Sequence, residues 1–217
     1  MKKTVRTVPA ILTDDKEVLK NVVRLTEGFT DFVQFDLMDG RFVPSRSVTC
    51  ADIASLQTSL EWEAHIMVLN PENCLEDFKA AGAKKIVFHY EATKTPGAII
   101  DKIHELGMEA ALAVNPGTTN EQIKPFAGAI DSVLFMAVIP GFYGAKFIPE
   151  VLDKVKAFRK EYPDMQIGLD GGVNGDTIPL IVKAGVDVIY IGSAIYRQPD
   201  PAEAYRRLAA LANDNAG

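Results

Sequence analysis

Alternation is the feature that most constrains this chain. Short β-branched or apolar runs are separated by longer helix-patterned stretches, and the pair recurs eight times along the 217 residues. The strand candidates are residues 5–12, 32–37, 62–67, 85–88, 109–114, 132–135, 166–169 and 188–191. Nearly continuous apolar runs of this kind suit parallel strands buried on both faces. Between them, helix patterns cover residues 15–27, 51–56, 71–81, 96–106, 120–126, 149–162, 176–184 and 201–211. Ala81-Gly82-Ala83, Leu106-Gly107 and Ala184-Gly185-Val186 place a glycine where a helix ends in the left-handed conformation and turns toward the next strand. Pro71, Pro149 and Pro201 sit where a first helical turn wants a fixed φ and has no use for an N–H. Eight β/α pairs with right-handed crossovers can close into a barrel or open into a doubly wound sheet. The even eightfold count favours the α/β class (β/α)₈ TIM barrel, a fold of about 200 to 250 residues.

Composition narrows what such a chain can do. It carries 23 Lys+Arg against 29 Asp+Glu, a net charge of −6 with histidine neutral, which argues against a nucleic-acid partner. No stretch reaches the roughly eighteen consecutive apolar residues of a membrane helix. The opening Met1-Lys2-Lys3-Thr4-Val5-Arg6 lacks the apolar core of a signal peptide, so a cytoplasmic protein without a membrane partner is expected. No Gly/Ser, Pro or single-sign run marks a linker, so residues 1–217 are expected to form one barrel domain. Cys50 and Cys74, in no metal-knuckle spacing, read as reduced and packed in or near the core.

In a barrel the chemistry belongs at the C-terminal ends of the strands. Period-two alternation turns Gln34 and Asp36 to one side of the second strand, and Glu63 and His65 to one side of the third. The seventh strand ends in Asp170-Gly171-Gly172. Charges inside an apolar barrel are costly unless paired, and a divalent cation held by Gln34 Oε1, Asp36, His65 and Asp170 satisfies all of them. Taken singly, Asp36 or Asp170 could equally cap a turn. His89 and His104 read as ordinary satisfied polar residues, and Asp39-Gly40 as a turn.

A second cluster is glycine-rich. Pro140-Gly141-Phe142-Tyr143-Gly144, Gly171-Gly172-Val173-Asn174 and Gly192-Ser193-Ala194 follow strands six, seven and eight. Any one is an ordinary tight turn. Three on consecutive strand ends fit a single phosphoryl group, because glycine lets backbone N–H groups approach an anion. The combined expectation is a cation at one end of a pocket and a phosphate at the other.

These residues also carry a resemblance. Pro9-Ala10-Ile11-Leu12, Asp36-Leu37-Met38-Asp39-Gly40-Arg41-Phe42-Val43-Pro44, Ala64-His65-Ile66-Met67, Pro140-Gly141-Phe142, Phe147-Ile148-Pro149-Glu150, Asp170-Gly171-Gly172-Val173 and Gly192-Ser193-Ala194-Ile195 follow one another in a known order. Over nearly its whole length the chain resembles the ribulose-phosphate 3-epimerase family. The resemblance implies a barrel of the ribulose-phosphate-binding type, with one divalent metal ion (Zn, Fe, Mn or Co), acting on a phosphorylated ketopentose. It matches Asp36 and Asp170 to the acid and base, His65 to a metal-binding histidine, and Met38, Met67 and Met136 to methionines of the pocket. It also implies a homo-oligomer, a dimer or a hexamer.

Six positions depart from that pattern. The family has serine where Ala10 stands, histidine at Gln34, serine at Ala137, asparagine or an acid at Ile139, glycine at Tyr143 and glutamine at Ala145. All six are expected at or near the pocket. A neutral amide is a weaker zinc ligand than imidazole, so lower affinity or a preference for oxygen-loving ions is expected. Lost hydroxyls at Ala10 and Ala137 point to altered substrate choice. Three readings remain: inversion of C3 of D-ribulose 5-phosphate to D-xylulose 5-phosphate; an epimerase, isomerase or decarboxylase acting on another phosphoketose with altered metal use; or a non-catalytic sugar-phosphate binder. Unpaired buried charges at Asp36, His65 and Asp170 weigh against the last.

Overall fold

The computed structural model describes residues 4–141 and 145–216. The apolar runs form β1 (Arg6–Ile11), β2 (Phe32–Met38), β3 (Glu61–Met67), β4 (Lys85–His89), β5 (Glu109–Val114), β6 (Ser132–Met136), β7 (Gln166–Asp170) and β8 (Val188–Ile191). They pair in sequence order, all parallel, and β8 returns to β1 to close the barrel. The expected eightfold alternation therefore holds, with every strand boundary within one residue of expectation. Around the barrel lie α1 (Lys16–Thr26), α2 (Cys50–Ala54), α3 (Leu75–Ala80), α4 (Pro96–Glu105), α5 (Asn120–Ile123), α6 (Val151–Glu161), α7 (Ile178–Lys183), α8 (Ser193–Tyr196) and α9 (Pro201–Asp214).

Punctuation by glycine and proline explains most of these ends. Gly82, Gly107 and Gly185 take φ of 98°, 69° and 100°, so each joint uses the left-handed region that favours glycine. Pro96 and Pro201 open α4 and α9. Pro149 does not open a helix as expected: α6 begins at Val151, two residues later. Residues 71–81 do not form one helix either. Asn70 at φ 57° starts a 3₁₀ turn at Pro71–Asn73, and α3 follows it.

Alternation along the strands divides the apolar residues into two layers. Val8, Ala10, Val87, Ala111, Leu134, Met136, Val188 and Tyr190 pack inside the barrel. Phe35, Phe88, Phe135 and Phe158 lie in the layer between sheet and helices, each 1% exposed or less. Full burial of a side chain of this size stabilises by about 1.5 to 3 kcal/mol. Gly168, inside β7, makes room for the interior: a Cβ there would stand 2.9 Å from Tyr190 Cε2 and 3.1 Å from Leu134 Cδ1. Toward the base of the barrel, buried charges meet as a pair, with Lys85 Nζ 3.3 Å from Glu63 Oε2. Cys50 and Cys74 are free and half-buried against the outer layer. Among the described residues no helix is long and apolar enough to cross a membrane.

Candidate active site

Register in the barrel brings the expected residues together. β2 and β3 pair Gln34 with Glu63 and Asp36 with His65, so two neighbouring strands present polar side chains to the interior at matched heights. β7 delivers Asp170 from the far side of β8 and β1. His65 Nδ1 lies 2.9 Å from Asp36 Oδ1 and 3.7 Å from Asp170 Oδ2. One ligand atom from each of Asp36, His65 and Asp170 falls within 4.8 Å of the others. The three side chains border a cavity of about 240 Å³ at the C-terminal ends of the strands.

Gln34 joins the cluster differently from expectation. Its Nε2 donates to Asp36 Oδ1 at 2.9 Å and approaches Asp170 Oδ2 at 3.5 Å, while Oε1 is buried without a hydrogen-bond partner among the described residues. Two carboxylates attract the donor end of the amide, so Nε2 and not the expected ligand atom Oε1 makes the contacts to them.

Electrostatics mark this cluster as strained in charge. Burial, reinforced by the neighbouring Asp36 carboxylate, pushes the Asp170 carboxyl up from 3.8 to about 7. For His65, burial favours the neutral ring, but the hydrogen bond to Asp36 and the charges of Asp36 and Asp170 outweigh it and raise its pKa. A divalent cation removes the conflict between the buried Asp36 and the partly buried Asp170 carboxylates, and a donor set of two carboxylates and an imidazole suits zinc, iron, manganese or cobalt. The residues present therefore fit such a group.

The other expected positions mostly line the same cavity. Ala10, Met38, Met67 and Met136 form its apolar wall, and Gly141, Gly171, Gly172, Gly192 and Ser193 its rim. Three of these glycines have packing reasons of their own. Gly141, Gly171 and Gly172 adopt φ of 105°, 99° and 66°. A Cβ would stand 2.8 Å from Val43 Cβ at Gly141, 2.5 Å from Val138 Cγ2 at Gly171 and 2.8 Å from Phe147 Cβ at Gly172. Phe142, Tyr143 and Gly144 lie outside the described residues. Asp39-Gly40 is the expected turn: Asp39 Oδ1 accepts from the N–H groups of Arg41 and Phe42, and Gly40 has φ 72°.

Two of the six departures, Ala137 and Ile139, do not line the cavity, although their neighbours Met136, Val138 and Pro140 do. Ala137 points into the outer layer, 0% exposed, and its backbone ties β6 to β7 through a 2.7 Å bond from its N–H to Asp170 O. Its missing hydroxyl removes nothing from the pocket. Ile139 is 61% exposed beyond β6. Ala10 and Ala145 do line the cavity.

His89 is the residue that sequence reasoning missed. It is fully buried, and its Nε2 meets His65 Nε2 at 2.9 Å with the rings stacked, 5.1 Å between centroids. The sequence does hold a signal for it, because alternation from Lys85 through Val87 turns His89 inward just as it turns Asp36 and His65. His104, by contrast, is the ordinary surface residue expected, 2.9 Å from Asp131 Oδ2.

Residues 6–196 match the model of the ribulose-phosphate 3 epimerase family. The ribulose-phosphate 3-epimerase of Mycobacterium tuberculosis is 37% identical over 206 residues, covering 92% of this chain and 90% of its own. That of Candida glabrata is 35% identical over 214 residues, covering 90% and 87%. Among solved structures, the 3-hexulose-6-phosphate synthase of Salmonella typhimurium superimposes with a TM-score of 0.74 at 16% identity, covering 97% of this chain and 100% of that one; this likeness concerns the fold alone.

Proposed function

The chain belongs to the ribulose-phosphate 3-epimerase family, and from that premise we propose that it interconverts D-ribulose 5-phosphate and D-xylulose 5-phosphate by inverting C3, with Asp36 and Asp170 as acid and base. The observation that carries this reading is the convergence of Asp36, His65 and Asp170 on one cavity.

Inversion beside a ketone needs two proton carriers. One carboxylate takes the proton from C3, leaving a negative charge shared with the C2 oxygen as an enediolate; a carboxylic acid on the opposite face returns a proton to C3. The first aspartate ends protonated and the second ionised, so the only change in the sugar is the configuration at C3. In the cation-free site, burial and the neighbouring Asp36 hold the Asp170 carboxyl up at about 7, the direction that lets a carboxyl keep a proton; a cation bound beside it would lower it again.

Asp36, His65 and Asp170 would hold one divalent cation, with Gln34 beside them as a fourth group whose Oε1 has no partner among the described residues. Bound there, the cation supplies positive charge that stabilises the oxygens of the developing enediolate. Met38, Met67 and Met136 offer soft, adaptable walls to the sugar. Gly172, Gly192 and Ser193 offer backbone N–H groups to the phosphate at the other end, while the Gly171 N–H serves the Asp170 carboxylate. Ala10 and Ala145 in the wall favour a second reading in which a related phosphoketose is the preferred substrate.

The test is incubation with ribulose 5-phosphate in deuterated buffer, with zinc, manganese or iron added, followed by NMR at C3. The expected result is xylulose 5-phosphate carrying deuterium at C3. Absence of both with every metal refutes the reading.

A further inference from the structure

His65 presents its two ring nitrogens to different surroundings. Nδ1 faces Asp36 and Asp170, whereas Nε2 faces His89 Nε2 at 2.9 Å. A hydrogen bond between two imidazole nitrogens requires one N–H and one lone pair, so the protons of the two rings are coupled. The far side of His89 decides which arrangement holds. His89 Nδ1 lies 3.5 Å from Glu91 Oε2, and neither atom has another hydrogen-bond partner among the described residues. The Asn115 side chain is the further polar neighbour of His89.

Glu91 is itself fixed as an anion. It stands in the 3₁₀ turn Tyr90–Ala92 after β4, and its Oε1 accepts from Asn115 N–H at 2.9 Å and from the Thr118 hydroxyl. A carboxylate so held can only accept. A lone pair on His89 Nδ1 would therefore face a lone pair on Glu91, whereas a proton there satisfies both buried atoms. With the His89 proton on Nδ1, its Nε2 is an acceptor, and His65 must donate from Nε2. His65 Nδ1 then faces the two aspartates: without a cation it donates to Asp36 Oδ1 at 2.9 Å, and with one bound it would give up that proton and offer its lone pair.

We propose that His89 and Glu91 are positioning residues that hold this proton order, from His65 Nε2 to His89 and from His89 Nδ1 to Glu91, and so direct His65 Nδ1 as a donor of electrons into the active site. Resting on the assignment of His65 as a cation ligand, the relay follows the general rule that a ligating histidine is oriented by what its other nitrogen donates to. β4 thus supports the site from behind, through His65.

The chain has three histidines, which keeps a ¹⁵N-histidine NMR spectrum simple. Spectra of the full chain, first with a chelator and then with zinc, are expected to show His89 protonated at Nδ1 and bare at Nε2 in both states. A His89 proton on Nε2 overturns the proposal. Zinc affinity, measured by competition with a chromophoric chelator, is expected to fall about 10- to 100-fold in His89→Leu. His89→Gln, which can accept from His65 and donate to Glu91, is expected to recover to within a few-fold of the parent. Unchanged affinity in His89→Leu overturns the role. If that variant does not fold, Glu91→Gln serves instead, and an unaltered His89 tautomer in it counts against the relay. A parent protein that binds no zinc while His89 keeps its Nδ1 proton refutes the cation reading and the positioning role, leaving the hydrogen-bond order standing as structure only.

Discussion

Gln34 Nε2 donates to Asp36 Oδ1 at 2.9 Å, so a neutral amide stands at the point where the family resemblance implies a histidine. The amide bridges toward Asp170 as well, at 3.5 Å, and thereby ties together two carboxylates that repel one another. As a metal donor it is poorer than imidazole. Gln34→His is therefore expected to tighten zinc binding at least about tenfold, equivalent to about 1.4 kcal/mol. Competition titration against a chelator measures it, and an unchanged dissociation constant would show that position 34 takes no part in holding the cation.

Asp170→Asn keeps the shape of the side chain and removes its ability to exchange a proton. Turnover is expected to fall at least about 100-fold, while an inorganic phosphate or phosphate-analogue ligand, held by backbone groups after β7 and β8, binds within a few-fold of the parent. Comparable turnover excludes the acid/base role. The same variant carries a pH signature in chelated protein. The folded Asp170 carboxyl at about 7 lies above its ordinary 3.8, so the folded state keeps a proton that the unfolded chain has released. Stability from this group is therefore lost as pH rises from 3.8 towards 7. Thermal melts at pH 5 and pH 8 are expected to show a smaller decline for Asp170→Asn than for the parent.

Why some of this is readable in the sequence, and some not, follows from the physics of each element. The strands announce themselves because buried parallel strands need apolar residues on both faces, and the helix ends because Gly82, Gly107 and Gly185 need positive φ. Asp36, His65 and Asp170 stand out because charge inside a barrel demands a partner. α8 is hidden in the sequence: four residues, Ser193–Tyr196, are too few to display a helical period. Ala137 follows Met136 directly and yet lies off the pocket, because one step along a strand reverses the face. His89 looks ordinary in the sequence because its partner, His65, is 24 residues away and only the pairing of β3 with β4 in the barrel reveals the contact.

Away from the site, Asp52 supplies an independent test of the fold's electrostatics. Its Oδ2 accepts from Thr49 N–H at 2.9 Å and Thr49 Oγ1 at 2.8 Å, closing the start of α2, and Lys16 Nζ lies 2.6 Å from Oδ1. The Lys16 contact and the Thr49 N–H lower the carboxyl from 3.8 to about 2. Lys16 is largely exposed, so solvent discounts the ion pair and the cap carries most of the effect. Asp52→Ala is expected to cost about 1 kcal/mol at pH 7. The folded pKa lies below the unfolded one, so this contribution is present above 3.8 and disappears as pH falls towards 2. Urea titrations at pH 7 and at pH 2.5 check it; an equal gap at both pH values would show that the charge is irrelevant.

Arg159 locks the base of the barrel, opposite the site. Its guanidinium donates from Nε to Gly185 O at 3.1 Å and from Nη1 to Pro163 O and Met165 O at 2.7 Å each, and Nη2 pairs with Asp187. Asp187 in turn accepts from Ile167 N–H at 2.9 Å, so one side chain on α6 fastens the loops that enter β7 and β8. Lysine has one charged nitrogen and no planar fork, and it cannot reach these acceptors together. Arg159→Lys is therefore expected to lose about 2 kcal/mol through unsatisfied partners, lowering Tm by about 4 to 8 °C in a chain of this length. The strand ends that carry Asp36, His65 and Asp170 lie at the other end of the barrel, so KM and kcat are expected to stay within about twofold at 25 °C. A large change in kcat with Tm preserved would mean that strain at the base of β7 reaches Asp170 along the strand.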